Sequence, residues 1–274
     1  MIKNQIVSGA SNKYALMVRK GDCTTILGIS FFRGTVHEAA GRMMRGGLLV
    51  VPAAPALREM ERDATYREAL VEADVAIPDS AYMVSLWNLL EHDLIKRVSG
   101  LEYLRCLLRT EPIREAGNCV WVMASPESAE RNRTWLAKQG IELPADCIYV
   151  APMYGGVGDP VEDPKLVELL ERVRPQHVML TIGGGTQEKL GLYLKRQLSF
   201  MPAIHCIGAA IAFLSGDQVR IPAWADKLYL GWLLRCFSQP TRYVPRYWEA
   251  RKLFSLIRKY RDRLPAQVSR VFPR

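Results

Sequence analysis

Asp79 stands where a general base is useful. It follows the apolar run Val75-Ala76-Ile77 and precedes a helix predicted over Ala81 to Leu90, so its carboxylate falls at the carboxyl end of a strand, in reach of a substrate hydroxyl. An Asp or Ser before a helix is also the usual N-cap, and the sequence leaves both roles open. A second candidate is Thr181-Ile182-Gly183-Gly184-Gly185-Thr186, which leads from a strand into a helix. Glycines there admit a phosphate close to the backbone, and the helix N-terminus adds unpaired N–H groups and a favourable dipole. The P-loop Lys-Ser/Thr pair and the dinucleotide glycine spacing are both missing, so no particular nucleotide is indicated and a flexible turn with a Thr cap competes. Gly208-Ala209-Ala210, after the next apolar run, poses the same alternatives. Arg220, Arg235, Arg242 and Arg246 are interleaved with Trp232, Pro240 and Trp248; their forked donors suit diphosphate oxygens, with a solvated surface as the alternative. His37, His92, His177 and His205 are scattered, the last two in apolar runs, so no histidine catalysis, metal site or cofactor is expected.

These groups must be positioned by the elements around them. Short apolar runs recur at Leu48 to Val51, Val75 to Ile77, Cys119 to Met123, Cys147 to Val150, His177 to Ile182 and Ile204 to Ile207. Without polar alternation they fit strands buried on both faces. Helical stretches lie between them, such as Glu127 to Gln139, stopped by Gly140, and Pro164 to Arg172. Alternating strands and helices predict an α/β fold: a Rossmann-like, mostly parallel sheet with helices on both faces. Ligands in such folds gather at the carboxyl ends of the strands, where Asp79, Gly183 to Thr186 and Gly208 to Ala210 fall.

The 274 residues, 49% hydrophobic and 24% charged, exclude a disordered tail, a collagen and a miniprotein. Six cysteines without a CxxC read as a reduced, cytosolic chain. The N-terminus lacks an apolar core of signal-peptide length, and the apolar region around Ile204 to Leu214 is too short to span a bilayer. The charge is uneven. Residues 1–216 hold 24 Lys+Arg and 24 Asp+Glu, whereas residues 217–274 hold 13 and 4, which is the whole net charge of +9. Two parts are therefore expected: an α/β body over 1–216 and a basic, Trp- and Arg-rich helical appendage over 217–274. In the appendage Ala250, Leu253, Ile257, Tyr260 and Leu264 form one apolar stripe, flanked by Arg251, Lys252, Arg258, Lys259, Arg261 and Arg263. Such a helix either lies in an anionic membrane surface or docks on its own domain. Self-association into a homo-oligomer is another outlet for its apolar face. Nucleic acid is disfavoured, since no nucleic-acid module appears.

Seven pieces in order carry a family resemblance: Ala73-Asp74 with Ile77-Pro78-Asp79; Arg97-Val98-Ser99-Gly100; Gln187-Glu188; Ile207-Gly208-Ala209-Ala210 with Phe213-Leu214-Ser215-Gly216; Arg220-Ile221-Pro222-Ala223-Trp224; Trp232-Leu233-Leu234-Arg235; and Pro240-Thr241-Arg242. The series, collinear from about Leu27 to Trp248, resembles the WecG/TagA/CpsF glycosyltransferases. That resemblance implies a metal-independent, inverting enzyme without a cofactor. It would move a sugar from a UDP-sugar donor to a polyprenyl-diphosphate-linked saccharide, on the cytoplasmic face of the membrane, in cell-surface polysaccharide synthesis. It also implies a C-terminal appendage that closes the active site and touches the membrane. By the same resemblance the base falls on Asp79, and donor-side residues on Gln187 and Glu188, beside Gly183, Gly184, Thr186, Gly208 and Ala209. The acceptor diphosphate falls to Arg235, Arg242 and Arg246.

The chain departs from the family pattern at Ala53, where an Asn is usual, and at Ser80, Gly185, Ala212 and Gly231. Loss of polar groups at Ala53 and Ala212 fits a different sugar or acceptor. It also fits a weakened member that binds nucleotide sugar or lipid diphosphate without turnover.

Overall fold

The apolar runs fold as neighbouring strands in the computed structural model, which describes residues 21–216, 236–237 and 240–267. The chain opens with a hairpin, β1 (Cys23–Ile26) and β2 (Ile29–Phe32), then α1 (Val36–Met43) and β3 (Gly47–Val50). Next come α2 (Ala54–Leu57), which runs into the 3-10 turn Arg58–Glu61, α3 (Ala64–Val71), β4 (Val75–Ala76) and α4 (Ala81–Glu91). Two helices without an intervening strand, α5 (Gly100–Leu107) and α6 (Glu111–Arg114), lead to β5 (Cys119–Met123) and α7 (Pro126–Lys138). The second half holds β6 (Ile148–Val150), α8 (Pro164–Val173), β7 (His177–Leu180), α9 (Thr186–Gln197) and β8 (Ala203–Cys206). A 3-10 turn, Gly208–Ala210, and α10 (Ala212–Ser215) follow. Near the C-terminus are α11 (Pro240–Ala250) and α12 (Lys252–Tyr260).

The strands form one sheet in the order β1-β2-β4-β3-β8-β7-β5-β6, with every pairing parallel except that of β1 with β2. The central strands β3, β5, β7 and β8 are buried throughout, the physical reason they read as unbroken apolar runs. Alternate side chains feed two cores. Leu48, Val50, Val178, Leu180 and Ile204 pack with α2, α3, α4, α8, α9 and α12. Leu49, Trp121, Met123 and Met179 pack with α1, α5, α6 and α7 on the other face.

One difference from the sequence expectation, and one choice the sequence left open, have clear causes. The hairpin turn is Leu27-Gly28, both with positive φ, and Leu lacks the turn chemistry of Asn or Asp. It is propped by the C-terminal segment, since the N–H groups of Leu27 and Gly28 donate to the carbonyls of Arg261 (2.7 Å) and Asp262 (2.9 Å). The apolar stripe of the tail is not a free face either: Ala250, Leu253 and Ile257, with Leu256, are buried against the body. Docking wins because α12 fills a gap beside α2 and α4, and ion pairs Arg58–Glu249, Lys259–Glu61 and Arg261–Glu91 pin its length. At least residues 250–265 therefore pack as part of the body, although composition changes after Gly216.

Candidate active site

The loops after β4, β3, β8, β7 and β5 line up along the carboxyl edge of the sheet. Adjacent strands β7 and β5 send the chain to opposite layers, α9 to one and α7 to the other. A crevice opens at such a switch point because neighbouring loops diverge.

Asp79 stands at one end of this edge. It is not the helix cap: Ser80 Oγ accepts the Met83 N–H and caps α4. The Asp79 carboxylate is held by the segment leading into α5, Oδ1 accepting from Arg97 Nη2 at 2.7 Å and from the Gly100 N–H at 3.2 Å. Arg97 Nε also donates to the Asp79 carbonyl (2.6 Å), and the Val98 N–H to the Pro78 carbonyl (3.2 Å). Gly100 packs closely here: a Cβ would lie 2.9 Å from Val51 Cγ1, so a larger residue would force Val51 to shift. The Asp79 side chain keeps 33% of its surface exposed, against 14% for Arg97, so the carboxylate stays partly open while the guanidinium is more enclosed.

The glycine loop stands three strands away, across β3 and β8, which at about 4.8 Å per strand is roughly 14 Å. Gly183 and Gly184 are exposed, with open space where a Cβ would be. Gln187 and Glu188 point inward and are buried. Gln187 Oε1 accepts the Gly208 N–H (2.7 Å), and its Nε2 donates to the Cys206 carbonyl (3.2 Å) and to Glu188 Oε1 (3.0 Å). Glu188 Oε2 accepts the Gly185 N–H at 2.6 Å. Burial pushes the Glu188 carboxyl up to about 7. Behind it Lys189, also buried, pairs with Asp63 at 3.1 Å and donates to the carbonyls of Gly156 and Asp159, tying the loop after β6 to α9 and α3.

Thus Gly183, Gly184, Thr186, Gln187, Glu188, Gly208 and Ala209 come together around the β7 and β8 loops, and Asp79 shares their edge. Arg235 lies outside the described residues. Arg242 and Arg246, four residues apart, share one side of α11, and their side chains lie outside the described residues. Arg97, Gly100, Lys189 and Asp63 had no assigned role in the sequence; the Arg97-Val98-Ser99-Gly100 piece was the available signal. Ala53 sits at the N-cap of α2 without a capping side chain, and Ala212 is buried. His177 and His205 stack inside the core, with Tyr103 bonded to His205 Nδ1 at 2.9 Å. Among the described residues no three His, Cys, Asp or Glu side chains group as metal ligands.

A doubly wound sheet with a carboxylate and a glycine loop along its carboxyl edge defines an α/β protein of the kind in which ligands gather at that edge. The family model that matches, over residues 24–267, is that of the Glycosyl transferase WecG/TagA/CpsF family, and the chain belongs to this family. It is a glycosyltransferase. A search of curated proteins finds no match to the chain.

Proposed function

We propose that this glycosyltransferase moves a sugar from a UDP-sugar to a polyprenyl-diphosphate-linked saccharide, with inversion, without a metal, in cell-surface polysaccharide synthesis. The observation that carries the reading is the placing of Asp79: a partly exposed carboxylate, fixed by Arg97 and the Gly100 N–H, on the same edge as the open glycine loop. Asp79 takes the proton of the acceptor hydroxyl, the oxygen attacks the anomeric carbon, and the C–O bond to UDP breaks on the opposite face. The leaving diphosphate gathers charge, which the N-terminus of α9 offsets, while Arg235, Arg242 and Arg246 hold the acceptor diphosphate. The proposed closure of the site over the acceptor falls to the part of the appendage that precedes residue 250. A panel of UDP-sugars with a polyprenyl-diphosphate acceptor, read by product mass, tests the reading; no product with any donor would reject it.

The proposed membrane contact uses surfaces other than the buried stripe. Phe237, Val244, Trp248 and Phe254 are exposed, and Arg251 stacks on Trp248 at 4.1 Å. The outward side of α4 carries Tyr82, Ser85 and Leu89 with no charged residue from Ala81 to Leu90, and Leu94 follows. Apolar and aromatic groups flanked by Arg251, Lys252, Arg258 and Lys259 suit an anionic bilayer on the cytoplasmic side. Among the described residues no helix is long and apolar enough to cross a membrane. The uncapped Ala53 supports one other reading, a member that holds donor or lipid diphosphate without turning it over.

A further inference from the structure

We propose that Gln187 and Glu188 are positioning residues, which set the two loops flanking the donor through the backbone of Gly185 and Gly208 and do not touch the donor themselves. This rests on the reading of the carboxyl edge as a UDP-sugar site. Both side chains are almost wholly enclosed, at 2% and 1% exposure, so neither offers a surface to a ligand. Their polar atoms are already engaged by the protein. Gln187 Oε1 takes the Gly208 N–H and its Nε2 is shared between the Cys206 carbonyl and Glu188, while Glu188 Oε2 takes the Gly185 N–H.

The two glycines so held are the ones whose conformation needs holding. Gly185 has φ +95° and Gly208 φ +57°, and each has no side chain to restrain it. Buried hydrogen bonds to these amides replace that missing restraint. The outer members, Gly183 and Gly184, stay open on the ligand side. One pair of side chains therefore couples the β7 loop to the β8 loop: Gln187 reaches across to Gly208, Glu188 folds back to Gly185, and the two bond to each other. A donor that lies on both loops meets one rigid surface.

The test combines amide hydrogen exchange with UDP affinity in the full chain. Gln187→Ala is expected to speed exchange at Gly208, and Glu188→Ala at Gly185, each weakening UDP about tenfold, the scale of one lost buried hydrogen bond. Glu188→Gln keeps an acceptor for the Gly185 amide, and is expected to protect that amide and recover most of the lost affinity. Two results would overturn the proposal: alanine variants that weaken UDP without altering exchange at either glycine, or a Glu188→Gln loss as large as that of Glu188→Ala. If the unaltered protein binds no UDP, the donor reading fails. The positioning claim is then decided by exchange alone, and unchanged Gly185 and Gly208 amides would sink it.

Discussion

Arg97 grips Asp79 at two points, its Nη2 2.7 Å from the carboxylate Oδ1 and its Nε 2.6 Å from the same residue's carbonyl. A single planar guanidinium thus fixes both the side chain and the main chain of the proposed base, from a position 18 residues further along. Lysine cannot fork in this way. Arg97→Lys is expected to lower turnover about 10²-fold through misplacement of Asp79, with UDP affinity little changed. Parallel measurement of turnover and UDP binding checks this; equal losses in both would place Arg97 on the donor instead.

Burial acts on one carboxyl and two imidazoles with opposite consequences. Glu188 is pushed up to about 7, so its share of stability is complete below pH 4.5 and is lost as pH rises through 7. His177 is pushed down to about 4, and burial holds His205 well below its usual range; neutral imidazoles contribute fully above pH 6.5 and lose stability as pH falls. Tyr66, Lys189 and Cys206 act on Glu188, while the two imidazoles face each other and Tyr103 faces His205. Two histidines outweigh one glutamate, so stability is expected to rise with pH from 4.5 to 6.5. Glu188→Gln removes the opposing contribution and is expected to steepen that rise, by about 3 kcal/mol in all up to pH 7. Urea midpoints at several pH values measure it; an unchanged slope would show that Glu188 ionises normally.

Lys189 and Asp63 lie 126 residues apart in sequence and 3.1 Å apart in the core. Lys189→Ala strands the Asp63 carboxylate and releases the carbonyls of Gly156 and Asp159. A loss of about 3–5 kcal/mol is expected by urea unfolding, with faster proteolysis within residues 155–159. A loss under about 1 kcal/mol would mean that Asp63 is adequately held by the N–H groups of Tyr66 and Gly158.

The two sides of the C-terminal helices allow the fold and the proposed membrane contact to be tested separately. Leu253→Ala, in the core, is expected to cost about 2–5 kcal/mol. Trp248→Glu with Phe254→Glu, on exposed positions, is expected to leave stability nearly unchanged and to abolish pelleting with anionic liposomes. Removal of residues 217–274 cannot make this distinction, because it would take Leu253, Leu256 and Ile257 out of the core. Undiminished pelleting of the double variant would shift the bilayer contact elsewhere.

The sheet was legible because β3, β5, β7 and β8 are buried on both faces, and burial writes itself as an apolar run. The helices α4, α7 and α8 begin and end within a residue of the expected positions, where Ser80, Ser125 and Asp163 cap them. The stripe Ala250 to Tyr260 was equally legible as a face, but periodicity says that a face is covered, not by what. The hairpin was hidden because Leu27 is held in its positive-φ turn by the distant Arg261 carbonyl. Within the site, Asp79 and the glycine loop stood out by type and place. The groups that hold them did not: Arg97 with Asp79, Lys189 with Asp63 and Gln187 with Gly208 are meetings set by the order of strands.

The central claim is that Asp79 is the base of a sugar transfer from a UDP donor. Its most direct test is UDP release in the presence of donor and polyprenyl-diphosphate acceptor, comparing the unaltered protein with Asp79→Asn. Asparagine keeps the shape and an acceptor for Arg97 but cannot take the proton, so turnover is expected to fall by at least about 10²–10⁴-fold while UDP binding persists. Asp79→Asn turning over at the unaltered rate would contradict the account.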